Sequence, residues 1–182
     1  MRRVAVLVAV IAVATIDARV AVPSSASHFR YSAALTFGVE RWKVKPLQDR
    51  PSLLSIRSIP IAQLIAHDRP TPLPATRLPF ERRIFSVDAA VALVRHEADE
   101  GFHLVLHSGA DHMIAESPSA ASMTGATAYR RRQMREARTK LQLCAHARVV
   151  GVAFFDFKHG QTGVAPNAIE LHPILRFACL SG

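Results

Sequence analysis

The chain has 182 residues, of which 49% are hydrophobic and 20% charged, with two cysteines and a formal net charge of +9. That length suits one domain with extensions. The apolar fraction excludes disorder of the whole chain. Two cysteines exclude a disulfide-dense scaffold and a multi-thiolate zinc site.

Met1-Arg2-Arg3 is a short positive start, and VAVLVAVIAVATI, residues 4–16, follows without a charge. This run is short for a bilayer, which takes ~20 residues, and suits the apolar part of a secretory signal. Ser24-Ser25-Ala26 places cleavage after Ala26, with Ala21 as an alternative. An uncleaved membrane anchor is the competing reading. Residues 1–26 are expected to be a signal peptide and the protein to be secreted or held at the cell envelope. Past residue 16 no apolar run approaches a membrane span, so none is expected after cleavage. Losing Arg2, Arg3, Arg19 and Asp17 leaves 20 Lys+Arg against 13 Asp+Glu, a net charge of +7. A basic exported protein is drawn to anionic polymers, nucleic acid or envelope material, although the same charge also serves solubility. Export leaves Cys144 and Cys179 only each other as partners. A bond between them closes a loop of about 35 residues and contributes roughly 3–4 kcal/mol. Two buried thiols are the alternative.

Residues 27–82 read as an extended arm wrapping the domain that follows. Within it, ERWKVK at 40–45 alternates charge with apolar groups, as a short edge strand does. Ser58 caps a short helix with Pro60 in its first turn, running to about His67. Pro70, Pro72, Pro74 and Pro79 make residues 68–80 an extended connector.

Residues 83–182 carry the barrel expectation. Phe85, Val87, Ala89, Val91 and Leu93 fall on alternate positions, the period of a half-buried strand. After the polar break at 95–101, Phe102, Leu104 and Leu106 make a second strand. Turn residues 108–111 lead to a third over 112–116. Residues 117–128 are a small-residue loop. Helical spacing over 129–147 puts Tyr129, Gln133, Met134, Ala137, Leu141 and Cys144 on one face. The other faces carry Arg130, Arg131, Arg132, Arg135, Arg138 and Lys140 against Glu136. Residues 148–157 form a fourth strand rich in β-branched and aromatic groups. A glycine-containing loop, 158–166, precedes the fifth strand over 168–179, where Pro173 implies a bulge or an edge. The expected fold is mainly β: strand, strand, strand, helix, strand, strand, the order of a five-stranded OB-like barrel.

The stretch 151–175, GVAFFDFKHGQTGVAPNAIELHPIL, resembles the signature GVxFFDFxHGQTGVAPNxIELHPxL of an uncharacterised family of exported bacterial proteins. ERWKVK at 40–45, Leu73-Pro74-Ala75, FHLVL at 102–106 and MIAE at 113–116 are also similar to that family. The resemblance implies shared architecture and no particular activity. Family members often carry a more acidic turn where this chain has His96-Glu97-Ala98-Asp99-Glu100-Gly101, so no role is carried over for that turn.

Glu170 and His172 are two apart on the fifth strand and share a face, opposite Ile169 and Leu171. His103 lies off the core face of the second strand, and Glu116 ends the third. Two imidazoles and two carboxylates suit zinc or another divalent ion, so His103, Glu116, Glu170 and His172 are candidate metal ligands. A metal with an open position would activate water for hydrolysis, with His159, Glu170 and His172 as catalytic candidates. The spacing matches no established zinc motif. The competing reading is a polar cluster that pins loop 158–167 by hydrogen bonds. Asp156, Gln161 and Asn167 on that loop, and Arg131 and Arg135 on the basic helix, are candidate binding residues. No arginine sits where a staphylococcal-type nuclease would need one, and no phosphate loop or nucleophile elbow is present. Three functions follow: a binding or structural module, a metal-assisted hydrolase acting on phosphodiesters, and nucleic-acid binding through the helix.

Overall fold

The structure is a computed structural model and describes residues 41–181; the expected signal segment 1–26 and residues 27–40 lie outside the described residues. The elements in chain order are β1 (Ile56–Ser58), α1 (Ile61–Ile65), β2 (Ile84–His96), β3 (Phe102–Ser108), β4 (Asp111–Ser117), α2 (Ala128–Arg138), β5 (Cys144–Phe155) and β6 (Ile169–Ser181).

The strands lie in the order β1-β2-β3-β4-β6-β5, and β2 also pairs β5, which closes β2 to β6 into a five-stranded barrel. Closure depends on the length of β2. Its first half pairs β5 from Ile84↔Val152 to Val91↔Cys144, and its second half pairs β3 from Ala90↔His107 to His96↔Phe102. Register shifts between Ala89 and Leu93 bend it from one neighbour to the other, as bulges do in small barrels. β4 and β6 run parallel, pairing Ile114↔Glu170 and Ala115↔Leu171. The expected barrel and its helix between the third and fourth barrel strands are therefore present.

Alternation fills the interior. Phe85, Val87, Ala89, Leu104, Leu106, Met113, Ala115, Val149, Phe155, Ile169 and Leu171 are buried there together. A second apolar cluster lies on the outer face, where Met134 of α2 joins Leu47, Met123, Ile84, Val150, Val152 and Leu175. β6 bulges around Pro173, and Gly151 lets it pass close to β5 there, because a Cβ at 151 would lie 2.7 Å from Leu171 Cβ and 3.1 Å from the Pro173 carbonyl. Among the described residues, no helix is long and apolar enough to cross a membrane.

Several local expectations are corrected. Residues 41–49 form successive turns, not an edge strand; Val44 and Leu47 are buried, which fixes this segment by packing and not by strand pairing. Ser58 ends β1 instead of capping a helix, and the residue at the start of α1 is Pro60 with no side-chain cap. α2 begins as expected, with Thr127 Oγ1 accepting from the Arg130 amide at 3.3 Å, but it stops at Arg138. Leu141 and Cys144 leave the helical face because Cys144 already pairs Val91 on β2. β5 thus starts at Cys144, ahead of the expected 148. Cys144 and Cys179 form a disulfide with Cα atoms 5.8 Å apart, linking the first residue of β5 to the end of β6.

Candidate functional site

β3, β4 and β6 are neighbours, so their outward side chains meet. His103 pairs Glu116 across β3 and β4, and Ile114 pairs Glu170 across β4 and β6. On a bare barrel this face would be wet. Here the turns of 41–49 and the loop 156–168 cover it, leaving His103, Glu170 and His172 buried and Glu116 half-buried. The loop lies close enough over β3 that a Cβ at Gly163 (φ +80°) would fall 2.5 Å from Val105 Cγ2.

Lys45 stands at the centre of the covered cluster. Its Nζ is 2.7 Å from Asp156 Oδ2, 3.6 Å from Glu170 Oε1 and 3.8 Å from Glu116 Oε2. It also lies 5.5 Å from the centroid of the Phe154 ring. His103 donates from Nδ1 to Glu116 Oε1 at 3.0 Å and from Nε2 to the Thr162 carbonyl at 2.8 Å. Both acceptors lack a proton to give, so His103 is bound best when both its nitrogens carry hydrogen. His172 donates from Nδ1 to the Lys45 carbonyl at 3.0 Å, and its Nε2 lies 3.3 Å from Glu116 Oε2.

These contacts move the titrations in opposite directions. Burial weakens the Lys45 ammonium, but Glu170, Glu116 and Asp156 outweigh it and hold Lys45 above the ordinary lysine range. Burial would raise Glu116; hydrogen bonds from His103 and His172, with the Lys45 charge, hold it well below the usual carboxylate range. Glu170 goes the other way. Burial raises it, Lys45 only partly offsets that, and nearby Glu116 and Asp156 add to it, leaving the carboxyl well above its ordinary value. Its Oε1 has no hydrogen-bond partner. Burial lowers His103, and the bonds to Glu116 and Thr162 reverse that into a net rise.

The four expected metal ligands are thus brought together, but around an ammonium. Among the described residues, no group of three or more His, Cys, Asp or Glu is disposed to hold a metal ion. The set is arranged as an ion-pair and hydrogen-bond network in which Lys45 supplies the positive charge that a divalent ion would. Of the catalytic candidates, Glu170 is sealed, and His172 is engaged with Glu116 and the Lys45 carbonyl. His159 is 49% exposed, its Nε2 4.0 Å from Asp156 Oδ2 at the edge of the network.

The other loop candidates hold backbone. Gln161 accepts from the His159 amide at 2.9 Å and donates to the Phe157 carbonyl at 2.8 Å. Asn167 donates to the carbonyls of Leu64 and His67, tying α1 to the barrel, and accepts from the Ile169 amide. Sequence reading missed a second buried pair beside this network. Arg41 bonds both oxygens of Glu81 and the Phe155 carbonyl, while Glu81 accepts from the amides of Leu78 and Phe155. Arg41 also sits 4.6 Å from the centroid of Phe154. Segments 41–45, 102–106, 113–116 and 151–175 all contribute to these two ion-pair systems. The signal for Arg41 and Lys45 is their charge within an alternating stretch, a pattern that reads as an edge strand and not as a covering turn.

The basic helix differs. Arg131 turns back to the Ala126 carbonyl, and Arg138 donates to the Glu100 carbonyl at 2.6 Å and lies 4.3 Å from the centroid of Phe102. Arg132 and Arg135 face solvent. Tyr129 is half exposed, and the guanidinium carbons of Arg130 and Arg132 lie 5.1 and 5.7 Å from the centroid of its ring. Arg130 also feels Arg176 of β6; burial first, and that like charge after it, depress the Arg130 pKa despite Tyr129. Tyr129, Arg130 and Arg132 therefore lie close together, with Arg176 near enough to act on Arg130, and Arg135 follows one turn along α2.

The chain matches no protein-family model and no curated protein. Among solved structures it is similar to a Leishmania major protein described as an aspartyl-tRNA synthetase, with 14% identity, a TM-score of 0.43 and coverage of 69% of this chain and 21% of that one. It is also similar to asparaginyl-tRNA synthetase of Entamoeba histolytica, at 8% identity and a TM-score of 0.41, covering 70% of this chain and 24% of that one. Aspartyl-tRNA synthetase of the same organism gives 14% identity and a TM-score of 0.41, with 72% and 27% covered. The chain spans about a quarter of the length of these proteins.

Proposed function

We propose that this protein is an exported OB-like binding module that takes an anionic polymer on the face built from α2 and Arg176. The observation carrying this reading is the half-exposed Tyr129 with Arg130 and Arg132 against its ring, on a helix whose five arginines share one acidic residue, Glu136. Guanidinium groups neutralise phosphates or sulfates, and an exposed ring beside them offers a stacking surface for a base. The Lys45 network supports the same reading from the opposite side. A carboxylate held ionised by three cationic or donor partners is a weak base, and a sealed carboxyl reaches no substrate, so the cluster is better suited to rigidity than to hydrolysis. The disulfide supports export, since such bonds persist in oxidising compartments.

The test uses the mature chain with two fluorescent probes, a single-stranded oligonucleotide and heparin. Binding of either should weaken steeply with salt, and Arg132→Glu with Arg135→Glu should reduce it at least tenfold. Preference for the oligonucleotide, lost in Tyr129→Ala, would assign base stacking; equal binding would assign charge alone. Absence of binding at low salt, or affinity indifferent to salt, overturns the proposal.

A further inference from the structure

β1 adds to the free edge of β2 in parallel register, pairing Ile56↔Ile84 through Ser58↔Ser86, and the Ile59 amide continues the ladder to the Ser86 carbonyl at 3.1 Å. Alternation then places Arg57 and Ile59 on the same side as Arg83 and Phe85. α1 follows, and Gln63 and His67, one turn apart, approach that side. A cavity of about 250 Å³ lies between them, with Phe80 completing the wall.

Its floor is aromatic. The His67 ring stacks on Phe80 with centroids 3.9 Å apart, and Phe80 contacts Phe85 at 5.6 Å. Its polar groups are cationic or neutral: Arg57, Arg83, and the amide of Gln63. The guanidinium carbon of Arg83 lies 5.7 Å from the Phe80 centroid. Among the described residues, neither Arg57 nor Arg83 forms a salt bridge, and both are exposed. Two guanidinium groups at one cavity repel each other unless an anion lies between them, and their planar donors fit carboxylate or phosphate oxygens. The volume sits just below the roughly 300–1,000 Å³ of drug-sized sites, which limits the ligand to about one ring and one anionic group.

We propose that this cavity binds a small aromatic anion, its ring against Phe80 and Ile59 and its carboxylate or phosphate held by Arg57 and Arg83. The site is separate from the α2 face and does not depend on the function proposed for it.

The experiment titrates the mature protein with phenyl phosphate, benzoate, benzyl alcohol and inorganic phosphate, following NMR shifts of Ile59 and His67 and the melting temperature. Saturable binding of phenyl phosphate or benzoate is expected, at least tenfold tighter than benzyl alcohol or inorganic phosphate. Which anion wins decides between a phosphate and a carboxylate ligand. Arg57→Gln with Arg83→Gln should weaken binding at least tenfold while leaving the unliganded melting temperature near the parent's; Arg57→Gln alone is the milder check should the pair disturb folding. Arg132→Gln with Arg135→Gln should leave this binding unchanged. The proposal is overturned if neither aromatic anion binds, if benzyl alcohol or inorganic phosphate binds as tightly, or if a folded Arg57/Arg83 variant keeps parental affinity.

Discussion

Under the cover of segments 41–49 and 156–168, Lys45 faces three carboxylates and Arg41 is chelated by Glu81; on α2, five arginines share one glutamate. The two regions have similar residue types and opposite surroundings. Buried, a charge persists only with partners, and each partner is drawn from a distant part of the chain. Exposed, a charge needs no partner and remains available to a ligand. Residues that look chemical in a sequence can therefore be the least available ones, as Glu170 and His172 are here.

The largest expected effect comes from removing one member of a buried pair. Glu81→Ala leaves Arg41 buried and uncompensated, and should cost about 3–5 kcal/mol in urea unfolding. Lys45→Met should cost a comparable amount by leaving Glu116, Glu170 and Asp156 facing one another. A loss below about 1 kcal/mol in both would mean that these charges are hydrated and that the contrast with α2 is false.

Glu116 and Glu170 sharpen the comparison within the cluster. Glu116→Gln gives up charge-assisted bonds to both imidazoles and should cost about 1.5–3 kcal/mol at neutral pH. The folded Glu116 value lies below the unfolded one, so its contribution is complete above the usual Glu pKa of about 4.3 and is lost as pH falls through the depressed value. Acid unfolding should accordingly become shallower in Glu116→Gln. Glu170 has the reverse sign. Its contribution is complete below the ordinary value and is lost as pH rises through the elevated one. Glu170→Gln, which fixes a neutral group, should make stability fall less on raising the pH. Melting curves from acid to alkali on both variants check the pair; parallel pH profiles would contradict the opposed assignments. His103 follows Glu170 in sign: its contribution is present below about 6.5 and lost as pH rises through its raised value.

The smallest stability effect is expected on α2. Arg132→Glu with Arg135→Glu should move unfolding by about 0.5 kcal/mol or less per site, since both side chains are exposed. The same double variant should nevertheless produce the largest change in polymer binding. A stability loss comparable to that of Glu81→Ala would make α2 a structural helix first.

The barrel was legible because its strands obey period two: Phe85 to Val91, Leu104 to Leu106 and Ile169 to Leu171 all bury the face that alternation chose. The convergence of His103, Glu116, Glu170 and His172 followed from strand order. What surrounds them did not. Lys45 reaches its partners across 71 to 125 positions, and nothing local in ERWKVK distinguishes a covering turn from an edge strand. The end of α2 was misplaced for a related reason. The helical period continues through Leu141 and Cys144, and only pairing with Val91 draws Cys144 into a sheet.

The Cys144–Cys179 link also determines how the sheet can come apart. It staples β5 to β6 at the end remote from loop 156–168, so unzipping of that seam has to begin beside the loop. A single nick at the exposed Lys158 would leave two fragments that travel together until a reductant is added, with the barrel outlasting the cut.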